Sequence, residues 1–366
     1  MNILLIFVII SILLVIYDNW RIKKNSDIFN IKPKSENVIK SCSIVPDLLE
    51  QVLNEYNMTK NSIYIPCTYD TCETDIKKFE NIDQPSLIYI IDGCDTLASK
   101  LELWRVIKNY FGKNAYKYMP QTFLLEEYDD IKAFPEHYRL NLKKRPDHMY
   151  VLKNYEQRQE GIKLTRDLNE IINGLKQGWY LVQDYVYNPF IIAGRKINFR
   201  YYLLLICRNG KLSGYIHKNG FLYYTPELYN DKDINSKRHI TTGYIDRKIY
   251  IENPLTLQDF RNHLDKIDTS LKYKWDKNAQ NLLHYVVKAL QPKICQNKKL
   301  DKHLRFEIFG CDLAPSNKLQ AKLMEINKGP DMSAKDERDK QVKLSVQRDM
   351  IKVIKLEKNH HFDKIF

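Results

Sequence analysis

The sequence Phe306-Glu-Ile-Phe-Gly-Cys-Asp312 is followed, after the turn-like Ala314-Pro-Ser-Asn-Lys318, by Leu323-Met-Glu-Ile-Asn327. Two short apolar runs divided by a turn predict neighbouring strands of a β-hairpin. Glu325 and Asn327 are two residues apart, so their side chains share one face of a strand, and a short connection would place Asp312 beside Glu325. Two carboxylates and an amide oxygen suit Mg²⁺ that bridges to the phosphates of a nucleotide. From the spacing alone, a hairpin with polar residues on its solvent face is the simpler interpretation.

The composition is that of a globular protein in which basic residues outnumber acidic ones. The chain has 366 residues, 44% of them hydrophobic, and a formal net charge of +13. This charge predicts an acidic partner, which could be nucleic acid, an anionic membrane or an acidic peptide. The basic residues are scattered and form no recognisable nucleic-acid module, so nucleic acid is not expected as the partner. The seven cysteines include no CxxC pair, which predicts reduced thiols in a cytosolic setting.

The amino-terminal segment is apolar from Ile3 to Tyr17 except for Ser11. With its flanking residues it approaches the lower length limit of a membrane helix. Basic residues follow the run and none precedes it, so the positive-inside rule places the rest of the chain in the cytosol. We expect a single-pass anchor over residues 1–20, with membrane contact through residues 3–20. An uncleaved or cleaved signal sequence is the alternative.

The hairpin and the later stretch Asp339-Lys-Gln-Val-Lys343 resemble the carboxy-terminal signature of the tubulin–tyrosine ligase-like enzymes. These are ATP-grasp amide ligases that join amino acids to tubulin tails or related proteins. The resemblance extends from about Thr96 to Val353. It implies that Asp312, Glu325 and Asn327 hold a catalytic Mg²⁺, with Mn²⁺ as an alternative ion, and that ATP is the cosubstrate.

The resemblance also implies a fold class and a domain order. The fold class is α/β (α+β), namely an ATP-grasp fold with a small α/β amino-terminal lobe behind the membrane helix. The expected segments are an anchor (1–20), a linker (21–37), the amino-terminal lobe (38–97), a central ATP-grasp lobe (98–187) and a carboxy-terminal ATP-grasp lobe with the Mg²⁺ site (188–366). A helix over Val342 to Ile354, apolar at helical period, is expected to pack behind the hairpin.

The nucleotide side of the site is predicted on two strands, Met149 to Lys153 and Trp179 to Val186. By resemblance, Lys153 meets the α and β phosphates, and Gly161 belongs to the loop over them. Lys100 matches a family lysine near a helix start. The residues of the adenine hinge are Gln183, Asp184, Tyr185 and Val186, which act through their backbone.

A third stretch, Asn188 to Arg200, resembles the family's "NPLLIDGRKFDIR". Lys196, Asn198 and Arg200 alternate, so they share one face of a strand. The resemblance assigns Arg200, Lys196 and Lys218 to the transferring phosphoryl group. It places Lys196, Asn198 and Thr241 at the nucleotide. Asn198 stands where the family has aspartate and Lys218 where it has arginine, which puts full activity in doubt.

The function implied is an ATP-dependent carboxylate–amine ligase. It would add tyrosine, glutamate or glycine to an acidic protein tail, such as that of tubulin, through an acyl-phosphate intermediate. The partners are thus the acidic tail and a free amino acid. Two alternatives stay open: a weak or inactive protein that binds ATP or tubulin, and an ATP-grasp ligase that acts on another substrate.

Overall fold

The structure, a computed structural model, describes residues 46–58, 62–66, 72–156 and 161–366. The predicted anchor (1–20) and linker (21–37) lie outside these ranges, as does part of the loop that precedes Gly161. Within the described ranges, no helix has the length and apolar character needed to cross a bilayer.

The helices occur throughout the described chain, and a short 3₁₀ segment, Gly112–Lys117, follows α4. The helices are α1 (Asp47–Glu55), α2 (Cys72–Lys77), α3 (Cys94–Ala98), α4 (Lys100–Phe111), α5 (Tyr128–Lys144), α6 (Leu168–Ile172), α7 (Ser236–His239), α8 (Ile249–Glu252), α9 (Leu257–Asp265), α10 (Thr269–Leu290) and α11 (Glu337–Ile354). α4 begins where the Ser99 hydroxyl accepts from the Glu102 N–H, a side-chain cap that satisfies an otherwise unpaired amide.

The strands form two sheets. They are β1 (Leu87–Ile88), β2 (Thr122–Leu124), β3 (Tyr150–Lys153), β4 (Ile162–Thr165), β5 (Leu181–Asp184), β6 (Ile191–Ile192), β7 (Arg195–Arg208), β8 (Lys211–His217), β9 (Phe221–Tyr224), β10 (Leu304–Pro315), β11 (Ala321–Lys328) and β12 (Phe362–Lys364). The larger sheet has the order β1-β10-β7-β8-β12, with β11 paired to β10 and with β6 and β9 paired to β7. The smaller sheet has the order β2-β5-β3-β4. The predicted mixed α/β fold class is confirmed.

Strands β7 and β10 are the centre of the larger sheet and carry its most continuous apolar sequence. Residues 201–207 of β7 are all buried, as expected for a strand covered on both faces. α10 packs against the sheet, and its buried Trp275 donates from Nε1 to the Tyr201 hydroxyl at 2.9 Å. This burial fixes the position of β7, whose first half carries polar side chains.

The carboxy-terminal helix α11 has the predicted apolar stripe, since Val342, Val346, Met350 and Ile354 are buried. Its principal contacts are with β7, β12 and α1. The helix therefore supports the strand next to β10 rather than the β10–β11 hairpin, which corrects the expected position.

One cysteine prediction is wrong. Cys207 at the end of β7 and Cys295 form a disulfide, with their Cα atoms 5.7 Å apart. The two are 88 residues apart in sequence, and the fold brings the segment after α10 against the end of β7. Sequence spacing alone therefore could not indicate the pairing. Cys311 is a buried free thiol.

Candidate active site

The predicted hairpin is present, and its register sets Asp312 directly opposite Glu325. The pairing shifts between Asp312 and Leu313, and such a bulge re-aims the side chains beside it. Asn327 lies two residues beyond Glu325 and donates from Nδ2 to Glu325 Oε1 at 3.2 Å. The structure thus brings the three predicted metal ligands together on neighbouring strands.

The two carboxylates are half-buried beside each other, which is unfavourable without a cation or proton between them. Burial raises the pKa of Asp312 to about 6, although Arg200 acts to lower it. Burial also acts to raise the pKa of Glu325, but attraction to Lys153 and the contact with Asn327 hold it below its usual value. The hairpin therefore presents an anionic glutamate beside an aspartate that keeps its proton up to a pH of about 6.

Arg200 of β7 is paired with the first of these carboxylates. It donates from Nε to Asp312 Oδ1 at 2.5 Å and from Nη2 to Oδ2 at 3.1 Å. Its side chain passes over Gly310, where an added Cβ would lie 2.9 Å from Arg200 Cδ. Glycine at this position therefore leaves the space through which the guanidinium reaches the site.

Lys153 ends β3 on the opposite side of the cleft and is buried. Burial lowers the pKa of Lys153 to about 8, against the attraction of Glu325 and with added repulsion from Lys100. Lys100 Nζ donates to the carbonyl oxygens of Asn154 and Glu156, at 3.0 and 2.8 Å. Lys100 thus holds the start of the loop that follows β3, and both lysines line a narrow cleft with Glu325.

Lys196 of β7 is a second buried cation, and no described carboxylate pairs with it. Burial lowers the pKa of Lys196 to about 7, with added repulsion from Lys153. Its Nζ lies 3.4 Å from the Tyr185 hydroxyl oxygen and 4.5 Å from the centre of that ring. A buried lysine without an anionic partner is costly, which points to an anionic ligand.

The predicted hinge is the end of β5. The Asp184 N–H donates to Gln121 O at 2.8 Å, and the Tyr185 N–H donates to Met149 O at 3.2 Å. The Asp184 carboxylate lies 2.8 Å from His137 Nε2 on α5. The Asp184 side chain is thus engaged outside the cleft, and Val186 is past the end of the strand.

Two buried side-chain oxygens at the site have no protein partner among the described residues: Gln183 Oε1 and Asn198 Oδ1. Gln183 Nε2 donates to Thr122 Oγ1 at 2.9 Å. This hydrogen bond fixes the orientation of the side-chain amide, and its oxygen is left without a donor among the described residues. Unsatisfied buried oxygens call for a bound donor or water. An amino-bearing ligand such as adenine meets that need.

Gly161 and Thr241 complete the nucleotide-side predictions. An added Cβ at Gly161 would lie 2.4 Å from Glu156 O and 2.6 Å from Asn154 Oδ1, so this close approach requires glycine. Thr241 lines a cavity of about 420 Å³ that it shares with Arg200 and the three hairpin ligands.

Lys218 is the exception among the predicted residues. It follows β8, its side chain is 53% exposed, and its Nζ lies 3.4 Å from Asp363 Oδ1. It does not line the cavity that holds Arg200 and Asp312. The end of β8 directs its side chain toward the carboxy-terminal strand, so the structure does not bring Lys218 to the predicted position.

Two further residues of the site were not predicted from the sequence. Tyr223 of β9 lies beneath Arg200, with the guanidinium carbon 5.3 Å from the ring centre, and it pairs with Asn198 in the β7–β9 register. His239 Nδ1 lies 2.9 Å from the Tyr185 hydroxyl. The run of strand-forming residues from Phe221 to Tyr224 indicates a strand, but nothing in it singles out Tyr223. His239 has no such local signal.

Comparison with known proteins agrees with this geometry. The family model described as Tubulin-tyrosine ligase family matches residues 86–361, which is three quarters of the chain. The chain belongs to the tubulin-tyrosine ligase family. The resemblance drawn from the hairpin is therefore confirmed.

Individual relatives are distant. The chain is 26% identical over 245 residues to tubulin glycylase 3B of Drosophila melanogaster, covering 62% of this chain and 31% of that protein. It is 24% identical over 257 residues to probable tubulin polyglutamylase ttll-9 of Caenorhabditis elegans, covering 66% and 59%. It is 24% identical over 277 residues to probable tubulin polyglutamylase TTLL2 of Homo sapiens, covering 72% and 44%. The chain thus spans between about a third and three fifths of the length of these curated relatives.

The residues of this tubulin-tyrosine ligase family member fit Mg²⁺ and ATP. Asp312, Glu325 and Asn327 supply the hard oxygen donors that Mg²⁺ prefers. Lys153 and Lys196 supply positive charge for phosphates, and the unsatisfied oxygen of Gln183 supplies an acceptor. Lys153 therefore faces the donor set across the cleft, whereas Lys196 lies on β7 in the same sheet as the donor strands.

Proposed function

We propose that this chain is an ATP-dependent carboxylate–amine ligase built on an ATP-grasp fold. The observation that carries the proposal is the arrangement around Glu325. Two side-by-side carboxylates on the hairpin face Lys153, a buried lysine that has no ion-pair partner within the described part of the chain. Such an arrangement is unfavourable unless a divalent cation and polyanion fill it.

The roles of the chain's own residues follow from their positions. Asp312, Glu325 and Asn327 would hold Mg²⁺, which neutralises and orients the β and γ phosphates when bound. Lys153 would hold the α and β phosphates. Arg200, whose guanidinium offers a planar pair of donors, would stabilise negative charge on the transferring phosphoryl group. Lys196, on the same strand, would add a second positive charge. The geometry gives Lys218 no direct role.

The reaction we propose joins a carboxylate to an amine. The carboxylate takes the γ-phosphoryl group of ATP to form an acyl phosphate and ADP. The amine then attacks the acyl carbon, the amide bond forms, and phosphate leaves with the electron pair of the broken C–O bond. The net charge of +13 would attract an acidic protein tail as the carboxylate donor, and tubulin is the first candidate because the relatives are named for it.

ADP release that requires both an acidic peptide and a free amino acid would support this proposal. Mass spectrometry of tubulin from cells that express the chain would identify the product. Adducts of about 163, 129 or 57 Da correspond to tyrosine, glutamate or glycine in peptide linkage. Nucleotide turnover without any adduct on tubulin would favour an ATP-grasp ligase with another substrate.

A protein that binds nucleotide without turnover is the second candidate. Asn198 removes a negative charge where the family has aspartate, and Lys218 is directed away from the cavity. Isothermal titration with Mg·ATP followed by the ligase assay separates the two cases. Binding without ADP formation across many acceptors would favour the inactive protein.

We further propose that residues 1–20 anchor the chain in a membrane with the site on the cytosolic side. The support is the apolar sequence from Ile3 to Tyr17 and the basic residues that follow it. Carbonate extraction of membranes from cells that express the tagged protein tests this. Retention in the membrane pellet supports an anchor, and release into the supernatant contradicts it.

A further inference from the structure

The cavity beside the hairpin contains more charged groups than the nucleotide site needs. Most of its cations are already paired with carboxylates. Lys343 Nζ lies 2.8 Å from Asp339 Oδ2, and Lys328 is paired with Asp95. These pairs neutralise one another and would bind an additional charged ligand weakly.

Two opposite charges in the same cavity are not paired in this way. Asp331 accepts from the Ser333 N–H at 2.9 Å and from its hydroxyl at 2.5 Å. Lys335 Nζ donates to Gly243 O at 3.0 Å and lies 4.3 Å from the Tyr244 ring centre. Neither forms an ion pair with a described residue, although both line the cavity that contains Arg200 and Asp312.

We propose that Asp331 and Lys335 bind the free amino acid as a zwitterion, with Asp331 at its α-ammonium and Lys335 at its α-carboxylate. This inference rests on the proposed ligase function and adds the subsite of the second substrate. One anion and one cation at the mouth of a single cavity match the charges shared by every free α-amino acid. Both side chains are exposed, so the amino acid can enter from solvent.

The position also suits the chemistry. Asp331 lies four residues after Asn327 and lines the same cavity, so an amine held there is next to the transferring phosphoryl group. When the amine attacks the acyl carbon, its nitrogen lone pair forms the C–N bond. Before this attack, one ammonium proton passes to the solvent-exposed Asp331 carboxylate, which frees the nitrogen lone pair. The acyl C–O bond then breaks, and the departing phosphate takes that electron pair and the second nitrogen proton.

A neighbouring cation assigns the side chain of that amino acid. Arg247 also lines the cavity. It donates to Asp336 from Nε at 2.8 Å and from Nη2, which leaves Nη1 without a hydrogen bond to a described residue. Asp336 neutralises the charge of Arg247, but the remaining Nη1 still offers a donor to a side-chain carboxylate, so glutamate is the amino acid that we propose.

The test is steady-state kinetics of the full chain with Mg·ATP, an acidic acceptor peptide and glutamate, glycine or tyrosine. Asp331→Asn and Lys335→Met should each raise the KM for glutamate by about ten- to a hundredfold, the loss of one charge-assisted contact. The KM for ATP should not change. Lys335→Arg should retain most of the affinity, and Lys288→Met, which alters an exposed lysine of α10, is the matched control.

A binding measurement separates this inference from the proposed function. Glutamate is titrated into the protein loaded with Mg²⁺ and a non-hydrolysable ATP analogue. Binding to the wild type and its loss in Asp331→Asn supports the subsite. If the wild type ligates but both variants keep the wild-type KM for glutamate, the inference is overturned and the ligase function stands. A preference for glycine or tyrosine overturns the assignment to Arg247, and failure to bind Mg·ATP overturns the ligase function itself.

Discussion

Arg200 and Asp312 form a two-point ion pair between adjacent central strands, with N···O distances of 2.5 and 3.1 Å. They are directly opposite in the β7–β10 register, so the sheet itself holds the pair. The phosphate-binding cation and the metal-binding carboxylate are therefore adjacent before any ligand is bound. Binding of Mg²⁺ at Asp312 would free the guanidinium to engage a phosphate.

Replacement of Arg200 should alter the pH dependence of Mg²⁺ binding. The guanidinium opposes the rise in the pKa of Asp312 that burial causes. In Arg200→Met that opposition is lost, so the pKa rises above about 6. The acid limb of Mg²⁺ affinity, measured by isothermal titration, should then move to higher pH. Arg200→Lys keeps a charge and should leave the limb nearer its wild-type position, while turnover falls about 10²–10³-fold because the planar fork is lost. If the pH at which Mg²⁺ affinity falls were the same in Arg200→Met as in the wild type, the pairing would be contradicted.

The thermal stabilisation by Mg²⁺ should depend on pH. Because the folded pKa of Asp312 is raised from 3.8 to about 6, the folded state retains a proton in this window that the unfolded state has lost. Stability from this group is therefore present at low pH and is lost as pH rises from 3.8 to about 6. Mg²⁺ should raise the melting temperature more at about pH 7.5 than at about pH 5, where it must displace the proton. Asp312→Asn is the control, and an equal shift at both pH values in the wild type would contradict the assignment.

Lys196→Met should stabilise the unliganded protein and abolish nucleotide binding. The pKa of Lys196 is lowered from 10.5 to about 7 by burial, and one pKa unit corresponds to about 1.4 kcal/mol. The unfolded state binds more protons between pH 7 and 10.5, so this penalty is largest below pH 7 and disappears as pH rises. The gain in melting temperature should accordingly be larger near pH 7 than near pH 10. A destabilised variant that still binds ATP would contradict this role.

Lys218→Ala should have little effect. Its ion pair with Asp363 is exposed on both sides, and such pairs contribute about 0–1 kcal/mol. ADP release should stay within about twofold of the wild type, since a change of about 0.5 kcal/mol is typical of surface sites. Lys196→Ala, measured in parallel, should lose activity. A large loss in Lys218→Ala would show that Lys218 reaches the phosphoryl group during turnover.

The hairpin and the strand of alternating polar residues were predictable because their signals are local. The spacing of Asp312, Glu325 and Asn327 about a turn indicated both the strands and the shared site, and the structure has that register. The two-residue period of Lys196, Asn198 and Arg200 likewise placed them on β7. Such inferences need only the geometry of a strand.

The parts that failed depend on long-range packing. The disulfide joins residues 88 apart, and no local pattern sets that distance. The direction of Lys218 depends on Asp363, which the carboxy-terminal strand β12 delivers to the edge of β8. Gly310 offered no signal of its own either, because its role appears only when Arg200 crosses it from the neighbouring strand.

The most direct test of the central claim is isothermal titration of Mg·ATP into the wild type and Glu325→Gln, followed by ADP release with an acidic peptide and an amino acid. Glu325 faces Lys153 across the cleft and is opposite Asp312 on the hairpin. We expect the wild type to bind Mg·ATP at one site, and Glu325→Gln to lose Mg²⁺-dependent binding and nearly all turnover. Wild-type binding and turnover in Glu325→Gln would contradict the central claim.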